Sequence, residues 1–278
     1  MKKGLFILLI TVLLLVLTVG IASAITDREL DDGRHPYVGL MVANDAVGNP
    51  MWRCSGTLLS PTIFLTAGHC TEPPTASATI WFDDDVESLS CPRDLEGNYI
   101  PGECYPFGGP TTVAGTPYTH PDYDPNAFFL FDLGVVVLET PVDMGEYGVL
   151  PGLDILDAMK TQRGKQDDRT FTAVGYGLQR INPVFVESER VRMYARPRLI
   201  QINTPGFTGD FSLLLSNNHS TGGTCFGDSG GPSFWVDSEG NEFVVAVTST
   251  GDAQCVATGL NYRVDTLEIL EWINGYLP

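Results

Sequence analysis

The sequence predicts an all-β protein closed by one C-terminal helix, and three observations carry that prediction. Short runs rich in Val, Ile, Phe and Tyr recur between turn signals. Thirty glycines and 19 prolines are spread over 278 residues without a collagen period. Long helical stripes are few. With 43% hydrophobic and 18% charged residues, the chain can bury a substantial core as one large or two small domains, which excludes a disordered chain and a coiled coil.

The first element is a leader. Lys2 and Lys3 precede an apolar run from Leu5 to Val19, and Ala22-Ser23-Ala24 follows as a small-residue cleavage signal. Residues 1–24 are therefore expected to be a signal peptide. The competing reading, an uncleaved membrane anchor, requires about 20 apolar residues and leaves Ala-x-Ala without a purpose. No later segment is apolar enough to span a bilayer. The expected product is exported, to the extracellular space or a periplasm, and free of the membrane after cleavage.

Strands are then expected at Ser55–Leu59 and Ile63–Ala67 around the turn Ser60-Pro61-Thr62, and at Ala78–Phe82 and Leu133–Glu139. A second set is expected at Phe171–Tyr176, Phe211–Leu215, Pro232–Val236, Phe243–Thr248 and Val256–Val264. Between the sets, Pro141 to Arg169 carries Pro151-Gly152, Gly164 and mixed charges without alternation, and reads as a connection. At the end, Asp265-Thr266-Leu267-Glu268 has the capping-box pattern ahead of Leu267, Leu270 and Ile273 at helical spacing, with Gly275 as the stop. There is no solenoid repeat and no low-complexity tract.

Acidic residues number 34 against 16 Lys plus Arg, a formal charge of −18. Residues 1–24 hold two lysines and no acid, so the remainder carries −20. Such a chain repels nucleic acid and anionic lipid, and no nucleic-acid partner is expected. The cluster Asp83-Asp84-Asp85-Glu87 lacks the alternating ligands and glycine turn of a calcium loop and reads as a solvated loop. Six cysteines in an exported chain imply oxidising conditions and up to three disulfides, with 15 pairings that spacing does not distinguish. Neither a Cys-x-x-Cys nor a His-x-x-x-His pair occurs, so no metal and no cofactor are expected.

Three segments carry chemistry. Thr66-Ala67-Gly68-His69-Cys70 ends a strand, Phe131-Asp132-Leu133-Gly134 opens an apolar one, and Gly223-Thr224-Cys225-Phe226-Gly227-Asp228-Ser229-Gly230-Gly231-Pro232 forms a glycine-rich loop. Together, in this order, they resemble the chymotrypsin/trypsin-like serine proteases, from about Ile25 to the C-terminal helix. The residue chemistry agrees with that resemblance. A serine hydroxyl is a weak nucleophile that needs a nearby base, and neutral imidazole is that base near neutral pH. Ser229 and His69 fit these roles. The apolar run after Asp132 would bury its carboxylate, as a group orienting an imidazole requires. Gly227 and Ser229 can offer backbone N–H groups to a tetrahedral oxyanion where small residues allow close approach. His35, His120 and His219 read as surface or satisfied core histidines. His120 lies in a segment that resembles a surface stretch ahead of Asp132, and His219 lies in the sequon Asn218-His219-Ser220.

The resemblance implies more than the residues alone. It implies two six-stranded antiparallel Greek-key barrels, at 25–145 and 170–263, with the connection at 146–169 and the helix at 264–278. It pairs Cys54 with Cys70 and Cys225 with Cys255, which leaves Cys91 and Cys104 to each other in an apparent insertion. It places the specificity pocket at Gly223, Thr224, Ser249, Thr250, Gly251 and Gly259, open and uncharged, with Asp252 at the rim. It also implies that a freed Ile25 ammonium pairs with Asp228. The expected protein is a monomeric secreted serine endopeptidase acting on proteins or peptides after apolar or aromatic residues, with Arg/Lys preference as the runner-up. The rival reading is an inactive binding protein on the same fold. An α/β-hydrolase esterase would need Gly-x-Ser-x-Gly followed by its acid and histidine, which is the reverse of this order.

Overall fold

The computed structural model describes residues 29–89, 91, 93–96, 100, 104–127, 129–160, 169–181, 186–202 and 211–278. The expected signal peptide at 1–24, Ile25, and residues 161–168 of the expected connection lie outside the described residues.

A short strand β1 (Glu29–Leu30) leads into β2 (Val38–Asn44), β3 (Pro50–Ser60), β4 (Ile63–Thr66), β5 (Ser77–Trp81), β6 (Val113–Thr119) and β7 (Gly134–Leu138). The last six close into a barrel in the order β2-β3-β4-β7-β6-β5. Pro61 sits in the tight connection that sends β3 back as β4, as its fixed φ suits. Strand β2 was not legible by alternation because all seven of its residues are buried, so it carries no polar face. A single-turn helix α1 (Gly68–Thr71) follows β4.

The second half contributes β8 (Thr172–Gly175), β9 (Arg180–Ile181), β10 (Val186–Glu187), β11 (Met193–Ala195), β12 (Leu199–Ile202), β13 (Ser212–Ser216), β14 (Pro232–Val236), β15 (Glu242–Gly251) and β16 (Thr258–Arg263), then helix α2 (Leu267–Asn274). Strands β9 and β10 form a separate hairpin. Among the described residues the second set is an eight-stranded sheet, β1-β11-β8-β14-β15-β16-β13-β12, rather than a closed six-stranded barrel. The N-terminal β1 accounts for one added edge, since Glu29 and Leu30 pair with Tyr194 and Met193. One apolar cluster runs from Leu40, Phe64 and Val136 in the barrel through Val174, Phe234 and Tyr262 to Ile269 and Ile273 of α2.

The end of the chain corrects one sequence expectation. Asp265 is fully buried and does not cap α2. Its carboxylate instead binds Arg263 at 2.8 and 2.9 Å and accepts the Leu156 N–H at 2.9 Å. Arg263 also reaches Asp157 at 2.7 Å, so the connection between the two sets is pinned to the end of β16. The buried face of α2 is Ile269 and Ile273, while Leu267 is exposed.

A second arginine organises the N-terminal seam. The buried Arg192 donates to Asp31 at 3.0 Å, to the carbonyls of Val38 and Phe82 at 3.0 Å each, and to the Tyr176 hydroxyl at 3.1 Å, and it pairs with Asp84. His35 completes the cluster, with Nδ1 2.5 Å from Asp31 and Nε2 3.3 Å from Glu242. Burial disfavours charge on this imidazole, but hydrogen bonds to Asp31 and Glu242 outweigh it and push its pKa up to about 9. His35 is thus a core residue whose charge is retained. Its contribution should be complete below its unfolded pKa of about 6.5, decline above that and vanish as pH rises through about 9. The expected loss is on the order of 3 kcal/mol, and His35→Phe should remove most of this alkaline sensitivity while lowering stability at neutral pH. Thermal unfolding measured from pH 6 to 10 checks this; equal slopes in both proteins would contradict it.

Candidate active site

His69 stands in α1 immediately after β4, which is antiparallel to β7, and Asp132 lies two residues before β7. The pairing of Thr66 with Gly134 therefore brings the two chain segments side by side. The first N–H groups of any helix lack an internal acceptor, and Asp132 Oδ1 takes the His69 N–H at 2.8 Å. The ring Nδ1 of the same histidine lies 3.0 and 2.9 Å from the two carboxylate oxygens. Asp132 is fully buried, as the apolar run after it predicts.

The approach to Asp132 is strained and propped. Phe131 has φ +52°, a left-handed conformation uncommon for a bulky residue. Its ring stacks on His120 at 4.9 Å, and His120 in turn packs on Trp272 of α2 at 4.8 Å. The His120 N–H donates to the Leu133 carbonyl at 2.9 Å. His120 is therefore a buried support for the Asp132 segment rather than a surface residue, and burial holds its pKa below the ordinary value.

Ser249 supplies a further donor that the residue pattern did not reveal. A register shift in β15 between Thr248 and Thr250 re-aims this residue, and its Oγ donates to Asp132 Oδ2 at 2.6 Å. Glu72 is a second unforeseen neighbour, half-buried on the same cavity wall as His69. Burial opposes protonation of His69, but the Asp132 charge and hydrogen bond, aided by Glu72, raise its pKa above 6.5.

Ser229 lines two cavities with His69. One, of about 440 Å³, is walled by Thr224, Cys225, Ser249 to Asp252 and Cys255, with Glu72 and Tyr123 opposite. The other, of about 470 Å³, is walled by Trp52, Arg53, Glu72, Phe226 and Gly227. Gly227 has φ +97° and Gly230 φ +81°, conformations that favour glycine; a Cβ on Gly230 would fall 2.0 Å from Thr66 Oγ1. The Phe226 carbonyl accepts the Leu178 N–H at 2.7 Å. Because a trans peptide points its C=O and N–H in opposite directions, the Gly227 N–H is turned away from Leu178. Asp228 is fully buried and accepts the N–H groups of Gly177 at 2.7 Å and Cys225 at 2.9 Å.

The sequence model of the family described as Trypsin matches residues 109–273, more than half of the chain. The chain belongs to the trypsin family. A trypsin-like protease of Streptomyces glaucescens is 27% identical over 222 residues, covering 74% of this chain and 68% of that protein. Phenoloxidase-activating factor 3 of Holotrichia diomphalia is 24% identical over 264 residues, covering 88% and 70%. Among solved structures, HL collagenase at 1.7 Å resolution superposes with a TM-score of 0.61 at 19% identity, covering 87% of this chain and 94% of that one, a likeness of fold. The matched span of the trypsin-family sequence holds Asp132 and Ser229, and His69 precedes it.

As in the expectation from the family, the disulfides join Cys54 to Cys70, Cys91 to Cys104, and Cys225 to Cys255. The first two sulfurs and a His69 ring nitrogen lie within 4.8 Å of one another, but the disulfide removes both thiolates as metal ligands. The expected pocket residues separate into two groups. Thr224, Ser249, Thr250 and Gly251 line the cavity of about 440 Å³ with Ser229, whereas Gly223 and Gly259 are buried and do not line it. Gly223 packs on Asn217, whose Nδ2 donates to the Thr224 carbonyl at 2.7 Å. Asp252 does reach the rim, yet its carboxylate accepts the N–H groups of Gln254, Val256, Ala257 and Thr258. The sequon residue Asn218 spends its Oδ1 on the Ser220 N–H at 2.9 Å.

The geometry around Asp132 is testable without any assay of turnover. Ser249→Ala removes one of the carboxylate's donors and concentrates its charge on the imidazole, so the His69 pKa should rise further. Proton NMR titration of the imidazole reads the change. An unaltered or lower pKa would show that the Ser249 hydroxyl does not temper the pair.

Proposed function

We propose that this chain is a serine endopeptidase that cleaves peptide bonds through an acyl-enzyme, with Ser229 as nucleophile, His69 as general base and Asp132 as its orienting carboxylate. The observation that carries the reading is the buried Asp132 held against His69 Nδ1 at 2.9 Å while His69 and Ser229 share their cavities. With Nδ1 donating its proton to the carboxylate, Nε2 is left as the acceptor, the tautomer needed to take a hydroxyl proton. As Ser229 Oγ adds to the carbonyl carbon, that proton passes to Nε2 and negative charge develops on the carbonyl oxygen. The N–H groups of Gly227 and Ser229 are the donors assigned to that oxygen, where each such donor is worth about 2.7–4 kcal/mol. His69 then protonates the departing amine, and water repeats the cycle to release the acid.

The cavity walls favour apolar or aromatic side chains before the cleaved bond. Thr224, Ser249, Thr250 and Gly251 are uncharged, and Asp252 is engaged by backbone donors that outweigh its burial and hold its pKa low. A guanidinium held against these four walls, away from Glu72 on the His69 side, would lose water without gaining a carboxylate, at a cost of several kcal/mol. Export is part of the same reading, through removal of residues 1–24, and three disulfides support an oxidising destination. Cleavage after Ala24 would free Ile25 to reach Asp228.

Ser229→Ala and His69→Ala should each fold and lower kcat/KM by several orders of magnitude, because nucleophile and base act as a unit. A fluorophosphonate probe should label Ser229 in the parent and fail on Ser229→Ala; absence of labelling in correctly processed parent would favour the inactive binding protein. The base must be neutral to act, so kcat/KM should rise with pH through a midpoint above 6.5, the direction in which Asp132 shifts His69. A midpoint below 6.5 would remove His69 from the role. Sequencing the products of a peptide library tests the pocket: cleavage mainly after Leu, Phe or Tyr is expected, and dominance of Arg or Lys would overturn the neutral-pocket assignment.

A further inference from the structure

Ser55 is fully buried in β3 and touches the Gly227–Ser229 loop twice. Its backbone N–H donates to the Ser229 carbonyl at 2.8 Å. Its hydroxyl donates to the Gly227 carbonyl at 2.9 Å and accepts the Tyr176 N–H at 3.0 Å. Its own carbonyl accepts Thr66 Oγ1 at 2.8 Å, which fixes the residue to β4 just ahead of α1. One residue of the barrel thus grips the carbonyls of both residues whose N–H groups are assigned to the oxyanion.

The hydroxyl is the informative half of that grip. Gly227 has no Cβ and can rotate its peptide units at little steric cost, so its φ of +97° has to be maintained from outside. The Phe226 carbonyl is held by Leu178 and the Gly227 carbonyl by Ser55, and together these clamp the peptide units on both sides of the glycine. Without the hydroxyl, the Gly227 carbonyl and the Tyr176 N–H would both be left buried without this partner, and the loop would gain by turning the Gly227 carbonyl toward water. Such a turn reorients the neighbouring N–H as well.

We propose that Ser55 is a positioning residue whose hydroxyl holds the Gly227 N–H in the orientation that receives the oxyanion. This rests on the acyl-transfer reading above. Ser55→Ala keeps the backbone bond to Ser229 and removes only the hydroxyl. It should lower kcat about 10- to 100-fold with KM within about twofold, a part of the roughly 10²- to 10³-fold cost of deleting a donor outright. Affinity for a peptide aldehyde, whose hemiacetal oxygen occupies the oxyanion position, should fall by the same factor as kcat, while affinity for the matching peptide amide, which carries no oxyanion, stays put. Ser55→Gly provides a second variant lacking the hydroxyl and should behave alike. Unchanged kcat in either variant, or equal losses of aldehyde and amide affinity, would overturn the proposal and leave Ser55 a packing residue. Fluorophosphonate labelling of the parent separates the two readings: labelled parent with unaffected variants defeats the role of Ser55 alone, and unlabelled parent defeats the acyl-transfer reading beneath it.

Discussion

A carboxylate removed from water must be surrounded by donors, and Asp132 draws its donors from both halves of the molecule. Two come from His69 at the end of the barrel's β4, and one from Ser249 in β15 of the second sheet. Neither lysine nor arginine is among these partners, so while His69 is neutral the carboxylate depends on hydrogen-bond geometry. That dependence couples the seam to the site: if the halves shifted, Asp132 would lose the Ser249 hydroxyl, and its charge would bear on the imidazole alone. The stacked rings of Phe131 and His120, backed by a tilted Trp272, act on the same point, holding a left-handed residue beside the buried acid. Local strain there is tolerable because three elements over-determine it.

The parts of the site legible in the sequence are those whose chemistry is local. The glycine-rich loop announces its own backbone demands, and the apolar run after Asp132 announces burial. Ser249 and Ser55 carry no such mark, because a serine in a strand looks alike whether its hydroxyl meets water, a carboxylate 117 residues away or a carbonyl 172 residues away. The same reasoning explains the fold. Burial alone does not sort the strands: β4, buried throughout, was expected from its apolar run beside a turn signal, whereas β2, equally buried, and β6, whose alternation is broken up by Gly115 and Pro117, were not. β1 was missed because two exposed residues pairing with β11 have no pattern at all. Asp265 misled in the opposite sense: it has the chemistry of a helix cap, but the arginine two residues earlier outcompetes the helix for its oxygens.

Arg192 and Arg263 show how an acid-rich chain uses its scarce cations. Both are buried, and each is shared between two aspartates and secured at points far apart in sequence. Arg192 draws Asp31 ahead of β2 and Asp84 after β5 onto the start of β11; Arg263 draws the inter-set connection onto the end of β16. Removing either guanidinium would strand a buried carboxylate, a penalty larger than the net worth of the pair itself. The position of Arg192 at a chain crossing, where the carbonyls of Val38 and Phe82 also converge, suits the fork of donors that only arginine presents.

Part of the charge of −18 is turn chemistry. The β2–β3 hairpin closes on Asp45-Ala46-Val47-Gly48-Asn49 and the β14–β15 hairpin on Asp237-Ser238-Glu239-Gly240-Asn241, the same Asp-x-x-Gly-Asn pattern in each half. In both, the aspartate accepts the N–H of the residue two positions on, and the asparagine's N–H and side-chain amide, while the glycine takes a positive φ. Asp252 repeats the principle in the loop leading to β16. Hydrogen bonds from the asparagines, seconded by backbone donors, hold Asp45 and Asp237 below their ordinary pKa, so the charged form is the one that builds the turn. Acidity is therefore partly a property of how this chain makes its hairpins, and because the turn-building form is the charged one, these acids also contribute to the surface field on whatever approaches the cleft.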